Sequence, residues 1–84
     1  MDLADWRNHI DTVDKQLIDL LNERMKYCLE IGEIKRLEGR QVQDEDRERA
    51  VLATLTQYNK GPMSNEAIVE IFTRIIAEAR NLES

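Results

Sequence analysis

Residues 3–37 contain no proline and no turn signal, and Gly32 is their one interior interruption. Such an unbroken stretch predicts a single helix. At ~1.5 Å per residue it is roughly 50 Å long, whereas a compact globule of 84 residues has a radius of gyration of only ~12 Å. The helix must therefore overhang whatever core its own chain can build. Leu3, Trp6, Ile10, Val13, Leu17 and Leu20 follow one another in steps of three and four, the spacing of one helical face. Ile18, Leu21, Met25, Leu29, Ile31 and Ile34 widen that face. An apolar stripe of this length on an overhanging helix needs a second chain to cover it. That predicts an obligate, intertwined homodimer.

The remainder reads as two shorter helices. Asp2 or Asp5 suits the start of the long helix and Gly39 its stop. Residues 40–43 form a polar connection. Asp44 is a good N-cap for a second helix over about 45–59, with Glu45, Asp46 and Glu48 favourable near its positive end. Its apolar stripe is Val51, Leu52, Leu55 and Tyr58. Asn59-Lys60-Gly61-Pro62 is a turn. Ser64 caps a third helix over about 65–82, with the stripe Ile68, Ile71, Phe72, Ile75, Ile76, Ala79 and Leu82. No repeat and no strand-period run interrupts this pattern. The expected fold class is all-α: three helices in residues 1–84, one domain, forming a homodimeric helical bundle. Three Gly, one Pro and one Phe among 42% hydrophobic and 35% charged residues agree with a helix-rich chain.

Charge and length remove several classes of function. The net charge of −5 makes the domain a poor partner for nucleic acid or anionic membranes. No apolar run approaches the ~20 residues of a membrane span, and the acidic start does not read as a signal peptide. The single Cys28 cannot form an intrachain disulfide, which fits a reducing cytoplasm. No Gly-rich phosphate loop, metal-ligand spacing or Ser-His-Asp constellation is present, so neither a cofactor nor a metal is expected. His9 is isolated on the long helix, and Cys28 reads as a small buried filler.

A set of cations sits where the long helix should be apolar. Arg7, Ile10, Asp14, Leu17, Leu21, Arg24, Cys28, Ile31 and Lys35 follow in alternating steps of three and four. A charge on a buried face is costly unless something pairs it. Arg24 and Lys35 lie three turns plus about 20° apart, so they share a face and are ~16 Å apart along the axis. Arg7 lies roughly 25 Å from Arg24 along the axis and is rotated by about 100°. It cannot reach the same ligand from the same chain, but in a crossed or antiparallel dimer it can reach the partner's site. Taken singly, all three cations read as solvated or snorkelling. A second cluster, Asp44, Arg47 and Glu48, is spaced i, i+3, i+4 at a helix start. Capping with a surface ion pair of ~0.3–0.5 kcal/mol accounts for it, except that Glu48 continues onto the Val51–Leu55 stripe and so points inward. Glu83 likewise continues the Phe72, Ile76, Ala79 stripe, which leaves a core-facing carboxyl or a frayed end.

These positions carry a family resemblance. The run from Trp6 to Lys35, the run "DEDRERAVL" from Asp44 to Leu52 and, more loosely, "IFTRIIAEARNLE" from Ile71 to Glu83 resemble the all-helical class of chorismate mutases. Those are small dimeric domains that convert chorismate to prephenate in the shikimate pathway to phenylalanine and tyrosine. The resemblance implies that Arg24 and Lys35 line a pocket in one protomer and that Arg7 enters it from the other. The two arginines would clamp the substrate's carboxylates. Lys35 would hold a carboxylate and the ether oxygen of the breaking C–O bond. Glu48 would accept from the ring hydroxyl, with Asp44 beside it, and Arg47 would organise the charged wall. Glu83 would stand where many members place a Gln that donates to the ether oxygen.

The chemistry agrees with the inventory. A unimolecular pericyclic rearrangement needs no nucleophile or metal. It needs a flexible arm held over a ring by bidentate clamps, and positive charge where the ether oxygen gains electrons. Two residues depart from the commonest pattern. A carboxylate at Glu83 cannot donate a hydrogen bond, so full activity requires its protonated form; burial opposes its charge and nearby Lys35 favours it. Ala79 stands where some members have a Ser touching a carboxylate. Two alternatives keep the fold: isochorismate pyruvate-lyase and aminodeoxychorismate mutase. A third, of another class, is a non-catalytic helical dimerisation or effector-binding module.

Overall fold

The computed structural model describes all 84 residues. It consists of three helices, α1 (Leu3–Glu38), α2 (Glu45–Tyr58) and α3 (Asn65–Glu83). Each end lies within a residue of the sequence expectation, because each is fixed by local chemistry. Asp2 starts α1 through a capping box: its side chain accepts from the Asp5 N–H, and the Asp5 side chain accepts from the Asp2 N–H. Gly39 stops α1 at φ 69°, a left-handed conformation that suits glycine. Asp44 caps α2 by accepting the Arg47 N–H at 3.0 Å, and Ser64 caps α3 by accepting the Ala67 N–H at 3.1 Å.

The long helix overhangs. The molecule measures 55 × 23 × 15 Å with a radius of gyration of 15.9 Å, well above the ~12 Å of a compact chain this size. Only Cys28, Gly32, Ile76 and Ala79 are buried, all where α3 crosses the C-terminal half of α1. The N-terminal half of α1 touches nothing: Trp6 is 57% exposed and Ile10 59%. Leu3, Val13, Leu17, Ile18 and Leu20 are exposed beside them. In α2, Val51, Leu52 and Leu55 turn partly inward as expected, but Tyr58 is 79% exposed. It is the last residue of α2, and its exposed side chain contributes nothing to the intramolecular stripe.

Helix α3 packs against both α1 and α2, while the α1 and α2 backbones stay more than 8 Å apart. The third helix thus holds the other two as the walls of a cleft. Gly32 sets how tightly that cleft closes at one end. A Cβ there would lie 2.8 Å from the Glu83 Cα and 3.0 Å from the Glu83 carbonyl oxygen, so only glycine lets the end of α3 come this close.

Candidate active site

The cleft contains a cavity of about 180 Å³. Helix α1 contributes Arg24, Cys28, Ile31 and Lys35, which are successive members of its three-four seam. The connection and the start of α2 contribute Val42, Asp44, Arg47, Glu48 and Val51. Helix α3 contributes Ile76, Ala79, Arg80 and Glu83, its inward face over two turns. The apolar floor is thus ringed by charges from all three helices.

Lys35 and Glu83 meet. The Lys35 Nζ is 3.0 Å from the Glu83 Oε1, and both side chains are largely buried, at 19% and 9% exposed. Lys35 also donates to the Val42 carbonyl at 2.8 Å, which ties the connection to α1. Gly32 is one turn before Lys35, so the close approach it allows delivers the Glu83 backbone to that cation. The carboxyl at the end of α3 is therefore core-facing, and α3 does not fray before it.

Across the cavity, the Glu48 Oε2 lies 3.8 Å from the Arg80 Nε, a contact between α2 and α3. Glu48 is half-buried, as its place on the Val51–Leu55 stripe requires. Arg24 makes only a weak contact, donating from Nη1 to the Cys28 Sγ at 3.7 Å. Neither Arg24 nor Arg47 is in any ion pair. Asp44 faces the cavity at the head of α2, with one oxygen taken by its capping bond. Free guanidinium charge in a cleft is suited to a small anion, and the fork of each Arg matches a carboxylate in two-point contact.

Arg7 is apart from this group. It is exposed on the overhanging half of α1, in a shallow recess with Asp2, Asn8 and Asp11. The chain thus brings together Arg24, Lys35, Asp44, Arg47, Glu48 and Glu83, and leaves Arg7 outside. Three residues escaped the sequence reading: Arg80, Gly32 and Val42. Arg80 is four residues after Ile76 on the inward face of α3, which was a usable signal. An isolated Gly on a helical seam was another. Val42 acts through its backbone carbonyl, which no side-chain pattern reveals.

The perturbed ionisations lie elsewhere on α1. Glu33 is pulled down by its hydrogen bond and charge pairing with Arg36, which is pushed up in turn. Tyr27 is pushed up by the hydrogen bond it donates to Glu23. All four are exposed. No group of three His, Cys, Asp or Glu side chains converges as a metal site would need. No helix is long and apolar enough to cross a membrane.

Comparison with known proteins decides the family. The family model described as chorismate mutase type II matches residues 6–84. The chain belongs to the chorismate mutase type II family. The bifunctional chorismate mutase/prephenate dehydratase of Neisseria gonorrhoeae is 38% identical over 81 residues, covering 96% of this chain and 22% of that protein. The corresponding Aquifex aeolicus protein is 35% identical, covering 98% and 24%. The chain therefore spans less than a quarter of the length of these relatives. Among solved structures, chorismate mutase (form II) of Thermus thermophilus superposes with a TM-score of 0.94 at 33% identity, covering 96% of this chain and 92% of that one. The Helicobacter pylori chorismate mutase in complex with prephenate gives 0.87 at 27% identity, covering 96% and 88%. The all-α chorismate mutase fold thus extends over nearly the whole chain.

Proposed function

We propose that residues 1–84 form one catalytic domain that rearranges chorismate to prephenate. The observation that carries this reading is the shared cavity of Arg24, Lys35, Glu48 and Glu83 in a chain of this family. In the reaction the ether C–O bond breaks as a C–C bond forms between the enolpyruvyl methylene and the ring, with no net proton or electron transfer. The barrier is lowered by holding the arm over the ring and by stabilising charge on the ether oxygen. Arg24 grips one carboxylate. Lys35, within the cleft, serves a carboxylate and the ether oxygen. Glu48 accepts from the ring hydroxyl, beside Asp44, and Arg47 supplies charge to the wall.

Glu83 competes with the substrate for Lys35. In its 3.0 Å contact it occupies the cation that the ether oxygen needs. A protonated Glu83 releases Lys35 and becomes a donor to the same oxygen.

The site is completed by a second copy. The exposed stripe from Leu3 to Leu20 supports a homodimer built on the overhanging half of α1. Arg7 lies on that half, so association would carry the partner's Arg7 to the second carboxylate. With one buried cysteine, the chain is read as working in a reducing cytoplasm.

The test is loss of chorismate absorbance on adding purified protein, with the product converted by acid to phenylpyruvate. Turnover yielding phenylpyruvate supports the reading. A folded protein that releases pyruvate from isochorismate instead, or does nothing, refutes it.

A further inference from the structure

Arg80 is the one cation of the cleft whose surroundings are not explained by the roles above. It stands on the inward face of α3 between Ile76 and Glu83, and it lines the same cavity as Arg24 and Lys35. Its nearest anion is Glu48, but the 3.8 Å between Oε2 and Nε exceeds a hydrogen bond. The Nε is sealed from solvent and has no hydrogen-bond partner, the sole buried side-chain polar atom in this condition. A surface arginine that snorkels keeps its nitrogens wet. A sealed N–H that is neither hydrated nor bonded is costly, and natural proteins leave few of them without a reason.

Charge counting points the same way. The cavity is lined by four cations, Arg24, Lys35, Arg47 and Arg80, and by three carboxylates, Asp44, Glu48 and Glu83. Without Arg80 the lining would sum to zero, which is a poor receptor for a dianion. Lys35 is already engaged by Glu83 and the Val42 carbonyl. Arg24 and Arg47 are in no ion pair, and Arg80, beside Glu48, is the fourth cation that makes the lining net positive.

We propose that Arg80 is a further substrate-binding residue: its Nε is turned toward Glu48, and its Nη nitrogens, on a side chain 33% exposed, take an oxygen of the bound dianion. This rests on the chorismate reading above. It assigns to α3 a direct hold on the ligand, in addition to the one Glu83 supplies. The competing role is indirect: Arg80 would only steady Glu48, which would then do the binding.

The experiment measures prephenate binding by titration calorimetry. The proteins are wild type, R80A, R80K, E48Q and the E48Q/R80A double variant, each checked for fold by circular dichroism. R80K keeps a cation on a long stem but lacks the Nε–H and the planar fork. Direct binding predicts an R80A Kd about 10- to 100-fold weaker, the range for a charged hydrogen bond. It predicts an intermediate R80K, and the same loss from R80A in the E48Q background. Two results would overturn it. One is wild-type binding by R80A, or by a folded R80K if R80A does not fold. The other is a loss that vanishes in E48Q, which assigns Arg80 to holding Glu48. A wild-type protein that neither binds prephenate nor turns over chorismate removes the underlying reading instead.

Discussion

Substituting Gly32→Ala isolates the contact that brings α3 to Lys35. The added methyl would sit 2.8 Å from the Glu83 Cα and 3.0 Å from its carbonyl oxygen. Both are backbone atoms, so no side chain can swing aside. To reach an ordinary contact at 3.4 Å the end of α3 must retreat by about 0.6 Å. Two effects on stability oppose each other. Overpacking costs ~1–3 kcal/mol, while Ala gains ~1 kcal/mol over Gly in a helix interior. The net loss is ~0–2 kcal/mol, and each ~1 kcal/mol lowers Tm by roughly 4–8 °C in a domain of this size. The effect on catalysis is larger in proportion. A misplacement of ~1 Å in a catalytic site can reduce rate about 100-fold, so a 0.6 Å retreat of the Glu83 donor from the place of the ether oxygen should lower kcat about tenfold. The assay is kcat at saturating chorismate, with melting followed at one protein concentration. A G32A protein with unchanged kcat and a raised Tm would refute the reasoning, because it would behave as an ordinary helical Gly→Ala gain.

Two further outcomes follow from the same geometry. E83Q keeps the shape of the side chain, removes the charge that holds Lys35 and supplies a donor to the ether oxygen, so its kcat should equal or exceed that of the wild type; a large loss of kcat would contradict the competition between Glu83 and substrate. Ile10→Glu puts a carboxylate into the exposed apolar stripe of α1, and should shift the protein toward monomer in sedimentation while removing turnover; a fully active dimer would mean that this stripe is not the interface.

The three helices were legible because each is bounded by a local signal: the Asp2 capping box, Gly39, Asp44 and Ser64. The overhang of α1 was legible from length alone, since a helix of roughly 50 Å cannot fit a compact chain of this size. The cavity was legible in part. Arg24 and Lys35 share the α1 seam, and Glu48 and Glu83 extend apolar stripes, so their inward direction follows from helical periodicity. How those helices face one another was not legible. The Glu48–Arg80 contact depends on how α2 lies across α3, which no single-helix pattern encodes. Gly32 read as an interruption because its purpose is a contact with residue 83, far along the chain. Tyr58 read as core because periodicity gives the face a residue lies on and not whether a neighbour covers it.

The central claim is a cationic site made by two chains, and subunit complementation tests it most directly. Arg7→Ala and Arg24→Ala variants are purified separately, mixed in equal amounts, unfolded, refolded and assayed for chorismate turnover. If each site takes Arg24 from one chain and Arg7 from the other, each variant alone is inactive. Half of the refolded dimers are then mixed, and each mixed dimer has one intact site of two. The mixture should therefore recover about a quarter of the wild-type activity, and a mixture as inactive as its parts would contradict the shared site.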